Sequence, residues 1–101
     1  SPAPPKERLR ALPRALLLGA PTPVERLERF EATTRSPYPI FIKRDDAIPF
    51  GFGGNKVRKL ELVMAEALRL GATAVITCGG VQSNHCRATA AAAARLGLGC
   101  H

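Results

Sequence analysis

The nine residues GGNKVRKLE, from Gly53 to Glu61, join a glycine-rich loop to the start of an amphipathic segment. Apolar residues then recur every three to four positions and Gly71 follows as a helix-ending residue, so the pattern predicts a helix from about Asn55 to Leu70. Lys56 projects close to the apolar face of this helix. We therefore expect its side chain to point into the gap between the helix and a sheet. The predicted apolar face comprises Leu60, Val63, Met64, Ala67 and Leu70.

Strand and helix patterns alternate on both sides of this helix. A short strand is predicted at 40–42 and a buried strand at 72–77. Ser83 is expected to cap an alanine-rich helix that runs to about Leu96, and residues 98–101 look like the opening of a third strand. The order β-α-β-α-β predicts an α/β fold with a parallel sheet and flanking helices. Such a sheet needs further strands and helices on both faces, so we expect only the N-terminal part of a larger fold to be present.

The region before residue 40 is less regular. Residues 1–18 are basic and begin with a proline-rich stretch, and we predict that they form an N-terminal tail or arm. Residues 24–30 are predicted to form a short helix. The chain therefore divides into an arm at 1–18 and a truncated α/β portion at 19–101.

Composition narrows the classes of function. Fifteen basic and eight acidic residues give a net charge of +7, but the few aromatic residues are scattered, which disfavours nucleic-acid binding. An anionic small molecule suits the charge at least as well. No apolar run is long enough to span a membrane. Three widely spaced cysteines indicate reduced thiols, which predicts a cytoplasmic protein, and their spacing predicts no metal site.

Two glycine-containing loops, at 49–54 and 78–82, each precede a predicted helix. If the preceding strands are parallel, both loops lie at one edge of the sheet, where ligands of open α/β folds bind. Helix N-termini there favour phosphate or carboxylate groups. From the residues alone, however, the pattern favours the plain structural interpretation: a solvated lysine at Lys56, a helix cap at Ser83 and Asn84, and a polar first-turn residue at His85.

Three motifs resemble those of a known family: FIKRDD at 41–46, GGNKVRKLE at 53–61 and GVQSNH at 80–85. They are similar to motifs of the D-cysteine desulfhydrase and 1-aminocyclopropane-1-carboxylate (ACC) deaminase family, which belongs to the fold-type II pyridoxal-phosphate enzymes and resembles the tryptophan synthase β-subunit. The resemblance extends from Gly19 to the end of the chain. It implies pyridoxal 5′-phosphate as the cofactor, a small amino-acid substrate and a homodimer.

The resemblance also implies roles for four residues. Lys56 looks like the catalytic lysine that forms a Schiff base with the cofactor and later moves the α-proton. Asn84 resembles the asparagine that contacts the cofactor's ring hydroxyl and lies next to the substrate. Ser83 resembles the catalytic serine that holds the substrate carboxylate, with His85 at a neighbouring substrate-side position.

The implied function is that of a lyase acting on a D-amino acid. Family members that act on ACC typically have Gln where this chain has His85, which favours D-cysteine desulfhydrase, converting D-cysteine to pyruvate, hydrogen sulfide and ammonia. The alternatives are an ACC deaminase and an inactive truncated fragment that serves as a binding or interaction module. Because family members are several times longer, we expect these 101 residues alone to be inactive.

Overall fold

The computed structural model describes all residues from Ser1 to His101. The architecture is mixed α/β with two small sheets. Two 3-10 turns, at Asp45–Ala47 and Phe50–Phe52, precede the longer helices. The helices and strands in chain order are α1 (Pro5–Arg10), β1 (Val24–Arg26), α2 (Glu28–Thr34), β2 (Phe41–Lys43), α3 (Lys56–Arg69), β3 (Ala74–Val75), α4 (Asn84–Leu96) and β4 (Gly99–Cys100). No helix combines the length and apolar character needed to cross a bilayer.

Helices α3 and α4 pack against each other and form most of the core. Val57, Leu60 and Met64 of α3 are almost fully buried, each contributing about 1.5–3 kcal/mol by removal of its side chain from water. On α4 the buried residues are small, including Ala88 and Ala92. Small side chains allow neighbouring backbone to approach α4 closely, which brings the loop before α3 within reach of the start of α4.

The ends of both long helices confirm the sequence prediction to within a residue. Gly97 directly follows α4 and Gly71 lies two residues after the last residue of α3, and both adopt a positive φ angle of 73°. Such angles terminate helices and are favourable only for residues without a Cβ. Ser83 precedes α4, and its Oγ accepts a hydrogen bond from the Cys86 amide at 3.2 Å. Local backbone chemistry thus defines these boundaries.

The predicted apolar face of α3 is partly wrong. Val63 and Leu70 are 55% and 68% exposed, whereas the buried set includes Val57 and Glu61. The buried face is rotated because α3 packs mainly on α4 and on the N-terminal segment rather than on a broad sheet. The predicted strand at 72–77 is regular only at Ala74–Val75 and is not buried, since only β4 pairs with it here.

Parallel pairing is confirmed only between the second and third predicted strands. β3 pairs in parallel with β4, and backbone hydrogen bonds extend this pairing from Thr73 to His101. β2 instead pairs antiparallel with β1 in a separate sheet. The predicted helix at 24–30 is therefore wrong: its first residues form β1, and α2 begins at Glu28. Strand pairing between segments distant in sequence overrides the weak local helix pattern.

The segment assigned to an N-terminal arm contacts the core at its end. Ala15 and Leu17 are buried. The carboxylate of Glu61, itself 4% exposed, accepts hydrogen bonds from the amides of Leu17 and Leu18 at 2.8 and 3.0 Å. These bonds satisfy a buried charge and tie the segment to α3.

Candidate functional site

Lys56 is the first residue of α3 and is half-buried. The preceding loop approaches other backbone too closely for any side chain at Gly53. A Cβ there would lie 2.8 Å from the Asp46 carbonyl oxygen and 3.0 Å from that of Ile48, and Gly53 has a φ of 76°. Only glycine fits both the space and the dihedral angle. The position of Lys56 is therefore set by the preceding loop, which packs closely against the Asp45–Ala47 turn.

A charged pair fixes this loop to α3. Arg58 donates two hydrogen bonds to Asp45 Oδ1, at 2.9 Å from Nε and 2.7 Å from Nη2, and a third to Thr22 Oγ1 at 3.0 Å. The Asp45 carbonyl in turn accepts the Gly54 amide at 2.8 Å. Since Asn55 makes no side-chain cap, these distant contacts determine where α3 begins.

Ser83 and Asn84 lie at the start of α4. A Cβ at Gly79 would be 2.7 Å from Ser83 Oγ, so the chain folds closely over the Ser83 hydroxyl. Capping uses an oxygen lone pair of Ser83, and its hydroxyl also hydrogen-bonds the Cys86 thiol. Asn84 is exposed, and its Oδ1 accepts a hydrogen bond from Arg87 at 3.3 Å. The donors that the start of α4 offers to a ligand are therefore the Asn84 NH₂ and the first-turn amides other than that of Cys86.

His85 follows in the first turn and faces α3. Its Nδ1 is the only buried side-chain nitrogen or oxygen without a hydrogen-bond partner. Burial, followed by the positive charges of Lys59 and Lys56, lowers the pKa of the His85 imidazole below its ordinary value of 6.5. A neutral imidazole with an unpartnered nitrogen is suited to binding a polar ligand.

An open cleft of about 420 Å³ borders His85. It lies between α3, β3 and the first turns of α4. Its walls are mostly apolar with Lys59 and His85 as the ionisable groups. The lining residues are Lys59, Leu60, Val63, Met64, Val75, Ile76, His85 and Thr89.

The two loops meet, although not for the predicted reason. Arg87 Nη2 donates to the Gly53 carbonyl oxygen at 3.1 Å, which links the start of α4 to the loop before Lys56. The predicted cause, parallel pairing of the preceding strands, is wrong because β2 belongs to a different sheet from β3. Helix packing brings the loops together instead. Lys56, Ser83, Asn84 and His85 all lie at these two helix starts.

Sequence reasoning missed two further residues at this place, Arg87 and Cys86. Arg87 follows Asn84 by three positions, a spacing that places two side chains together on a helix surface. Hydrogen bonds from the hydroxyls of Ser83 and Thr77 lower the pKa of the Cys86 thiol. The contact with Thr77, at 3.6 Å, depends on where β3 ends and has no signal in the local sequence.

Comparisons with known proteins define the class. The sequence profile described as pyridoxal-phosphate dependent enzyme matches residues 15–101. A D-cysteine desulfhydrase from Salmonella paratyphi A is 54% identical over 99 residues, which are 95% of this chain and 29% of that protein. A crystal structure described as an ACC deaminase homologue superimposes with a TM-score of 0.86 at 41% identity, covering 97% of this chain and 30% of that one.

The chain belongs to the pyridoxal-phosphate dependent enzyme family. Its relatives support the resemblance to the D-cysteine desulfhydrase and ACC deaminase group. The family itself identifies pyridoxal 5′-phosphate as the cofactor. The chain spans less than a third of the length of these relatives.

The residues present fit part of this cofactor. Lys56 supplies a primary amine, Asn84 an amide and Ser83 a hydroxyl, all at helix starts that favour anionic groups. The unpartnered Nδ1 of His85 is a further polar atom for a bound molecule.

Proposed function

We propose that these residues form the N-terminal part of a pyridoxal-phosphate dependent lyase that acts on a D-amino acid, with D-cysteine as the preferred substrate. The observation that carries this proposal is the convergence of the Lys56 loop and the Ser83–His85 turn, joined by the Arg87–Gly53 hydrogen bond. The identity of 54% to a D-cysteine desulfhydrase supports the choice of substrate.

The wider architecture belongs to the same proposal. The parallel pair β3–β4 and the flanking helices α3 and α4 are consistent with the first part of a fold-type II sheet of the tryptophan synthase β-subunit kind. In this scheme residues 1–18 form the arm and 19–101 the truncated portion of the fold. A homodimer in the cytoplasm completes the proposal.

Lys56 would hold the cofactor through its amine, and its free amine would take the proton from the substrate's Cα. When bound, the cofactor supplies an electron sink for the pair released at Cα. The Cβ–S bond then breaks with its electrons on sulfur. Addition of one water to D-cysteine overall gives pyruvate, hydrogen sulfide and ammonia, with all atoms balanced.

The start of α4 is proposed to bind the substrate and the cofactor and to orient them. The Ser83 O–H, which hydrogen-bonds the Cys86 thiol in this structure, would turn to the substrate carboxylate, and the free amides of the first turn would donate to the same group. Asn84 donates to the cofactor's ring oxygen. His85, kept neutral by burial and by the neighbouring lysine charges that lower its pKa, contacts the substrate side chain.

The first test is the site of cofactor attachment. The complete polypeptide that carries these residues is treated with borohydride, and its intact mass and peptides are mapped by mass spectrometry. We expect a pyridoxyl-phosphate adduct on Lys56, its loss in Lys56→Ala, and its retention in Lys59→Ala, which removes an exposed lysine of the same helix. An adduct on another lysine, or none, would contradict the proposal.

The second candidate is an ACC deaminase, favoured by the structural likeness to an ACC deaminase homologue. Sulfide release separates the two, because ACC contains no sulfur. We expect sulfide from D-cysteine and a much smaller kcat/KM for ammonia release from ACC. The reverse ratio would establish the deaminase.

A third candidate from a different class is a truncated chain that acts only as a binding module, and the short span relative to the relatives favours it. The chain Ser1–His101 is predicted to release no sulfide from D-cysteine. Turnover by this segment would contradict both the prediction and the module hypothesis.

A further inference from the structure

We propose that Arg87 is a positioning residue. Its guanidinium links the loop before Lys56 to Asn84, and it orients the Asn84 amide so that the NH₂ group donates to an anionic oxygen of the bound cofactor. The inference rests on the proposed function and adds to it a residue outside the Lys56, Ser83, Asn84 and His85 set.

The guanidinium of Arg87 bridges the two helix starts. Nη2 donates to the Gly53 carbonyl oxygen at 3.1 Å, and Nη1 donates to Asn84 Oδ1 at 3.3 Å. Arginine presents its donors in a rigid planar fork, so the two acceptors are held at a fixed separation. A lysine ammonium is a point charge on a flexible stem and lacks this fork.

Chemistry decides which end of the Asn84 amide faces a ligand. A guanidinium has donors and no acceptor, so its partner on Asn84 must be the oxygen. With Oδ1 held by Arg87, the amide NH₂ remains available. Asn84 therefore presents donors, as an anionic ring oxygen requires, whereas a freely rotating amide presents oxygen and nitrogen alike.

On the Gly53 side, Arg87 completes a set of bonds around the loop. The Gly53 amide donates to the Phe50 carbonyl at 2.9 Å, and the Gly54 amide donates to the Asp45 carbonyl at 2.8 Å. Arg87 binds a further carbonyl of this loop, that of Gly53. Lys56 follows three residues later, so a shift of this loop moves Lys56 relative to Asn84.

The test compares wild type, R87Q, R87K and R95Q in the complete polypeptide. Arg95 is an exposed arginine further along α4 and controls for the loss of charge. Two quantities are measured: the dissociation constant of pyridoxal phosphate, and the pH midpoint of the visible absorption change of the bound cofactor. Neither depends on turnover.

We expect R87Q to weaken cofactor binding about tenfold, the effect of losing about 1.4 kcal/mol. The midpoint should move to higher pH, because a hydrogen bond donated to an oxygen favours its ionised form. R87K should fall between wild type and R87Q, and R95Q should match wild type. Unchanged values for R87Q would overturn the inference.

A double-mutant cycle with N84A separates positioning from general structure. If Arg87 acts through Asn84, the midpoint shift caused by R87Q disappears in the N84A background; an equal shift in both backgrounds overturns the inference. Should R87Q fold poorly, R87K gives the same cycle. Failure of wild type to bind the cofactor would overturn the proposed function and this inference together, whereas an unaltered R87Q overturns only the inference.

Discussion

The starts of α3 and α4 look alike in sequence, since each follows a glycine-containing loop, but they are held in different ways. The start of α4 is capped locally, by Ser83 Oγ on the Cys86 amide. The start of α3 has no side-chain cap and depends on distant partners, Asp45 bound by Arg58 and Gly53 bound by Arg87. The lysine proposed to carry the cofactor is thus positioned by tertiary contacts, and the residues proposed to orient ligands by local ones.

The largest effect should come from Gly53→Ala. The substitution forces a Cβ to within 2.8 Å of the Asp46 carbonyl at a φ of 76°, and we expect a loss of about 3 kcal/mol in the free energy of unfolding. Gly71→Ala is the matched control, with a similar φ of 73° and no atom within 4 Å, and should lose about 1 kcal/mol. Urea denaturation of the complete polypeptide measures both. Equal losses would show that close packing does not hold the α3 start.

Breaking the Arg58–Asp45 link should have the next largest effect. Arg58→Gln removes charge-assisted hydrogen bonds from a partly buried pair, and we expect a loss of about 1.5 kcal/mol. Arg69→Gln breaks an exposed pair with Glu66 on the same helix and should lose less than about 0.5 kcal/mol. If both variants unfold at the same urea concentration, the Arg58–Asp45 pair stabilises the protein no more than the exposed Arg69–Glu66 pair does.

The local cap of α4 should matter somewhat less. Ser83→Ala leaves the Cys86 amide without its acceptor, for an expected loss of about 1 kcal/mol. Ser83→Thr keeps a hydroxyl and should retain most of the stability. Hydrogen exchange of the first α4 amides would locate the change, which we expect to be largest at that helix start. Unchanged exchange of these amides in Ser83→Ala would show that the Ser83 cap does not stabilise the start of α4.

The smallest effect should appear in the pH dependence of stability. Because the folded-state pKa of His85 lies below the ordinary 6.5, the unfolded chain binds more protons between these values. His85 should therefore reduce stability progressively as the pH falls below 6.5, with no effect above it. His85→Gln should flatten this decline, and Lys59→Gln should flatten it in part by removing a neighbouring charge. Identical slopes for the three proteins in urea melts from pH 5 to 7 would contradict the assignment.

Much of the fold was predictable where the signal is local. Gly71, Ser83 and Gly97 mark helix ends because each satisfies or terminates backbone hydrogen bonds within a few residues. The segment at 24–30 was mispredicted because its strand exists only through pairing with Phe41–Lys43. The buried Glu61 was missed for the same reason: its carboxylate is accommodated by amides at Leu17 and Leu18, more than forty residues away.

In the candidate site, too, some features follow from the local sequence and others only from the tertiary structure. Motifs in the sequence predicted which residues matter, with Lys56, Ser83, Asn84 and His85 in two short stretches, and indicated the family, to which the profile match assigns the chain. The role of each of these residues stays a prediction. The convergence of the two stretches could not be derived from parallel pairing of the preceding strands, because β2 and β3 lie in separate sheets.

By itself, the sequence determined the C-terminal ends of α3 and α4, the capped start of α4, the family and the candidate cofactor lysine, because these depend on backbone chemistry and motifs of a few residues. Only the tertiary structure decided which face of α3 is buried, which strands pair, and that Arg87 joins Gly53 to Asn84. Those outcomes depend on hydrogen bonds and packing between residues far apart in the chain, whose partners are selected only when the whole core closes.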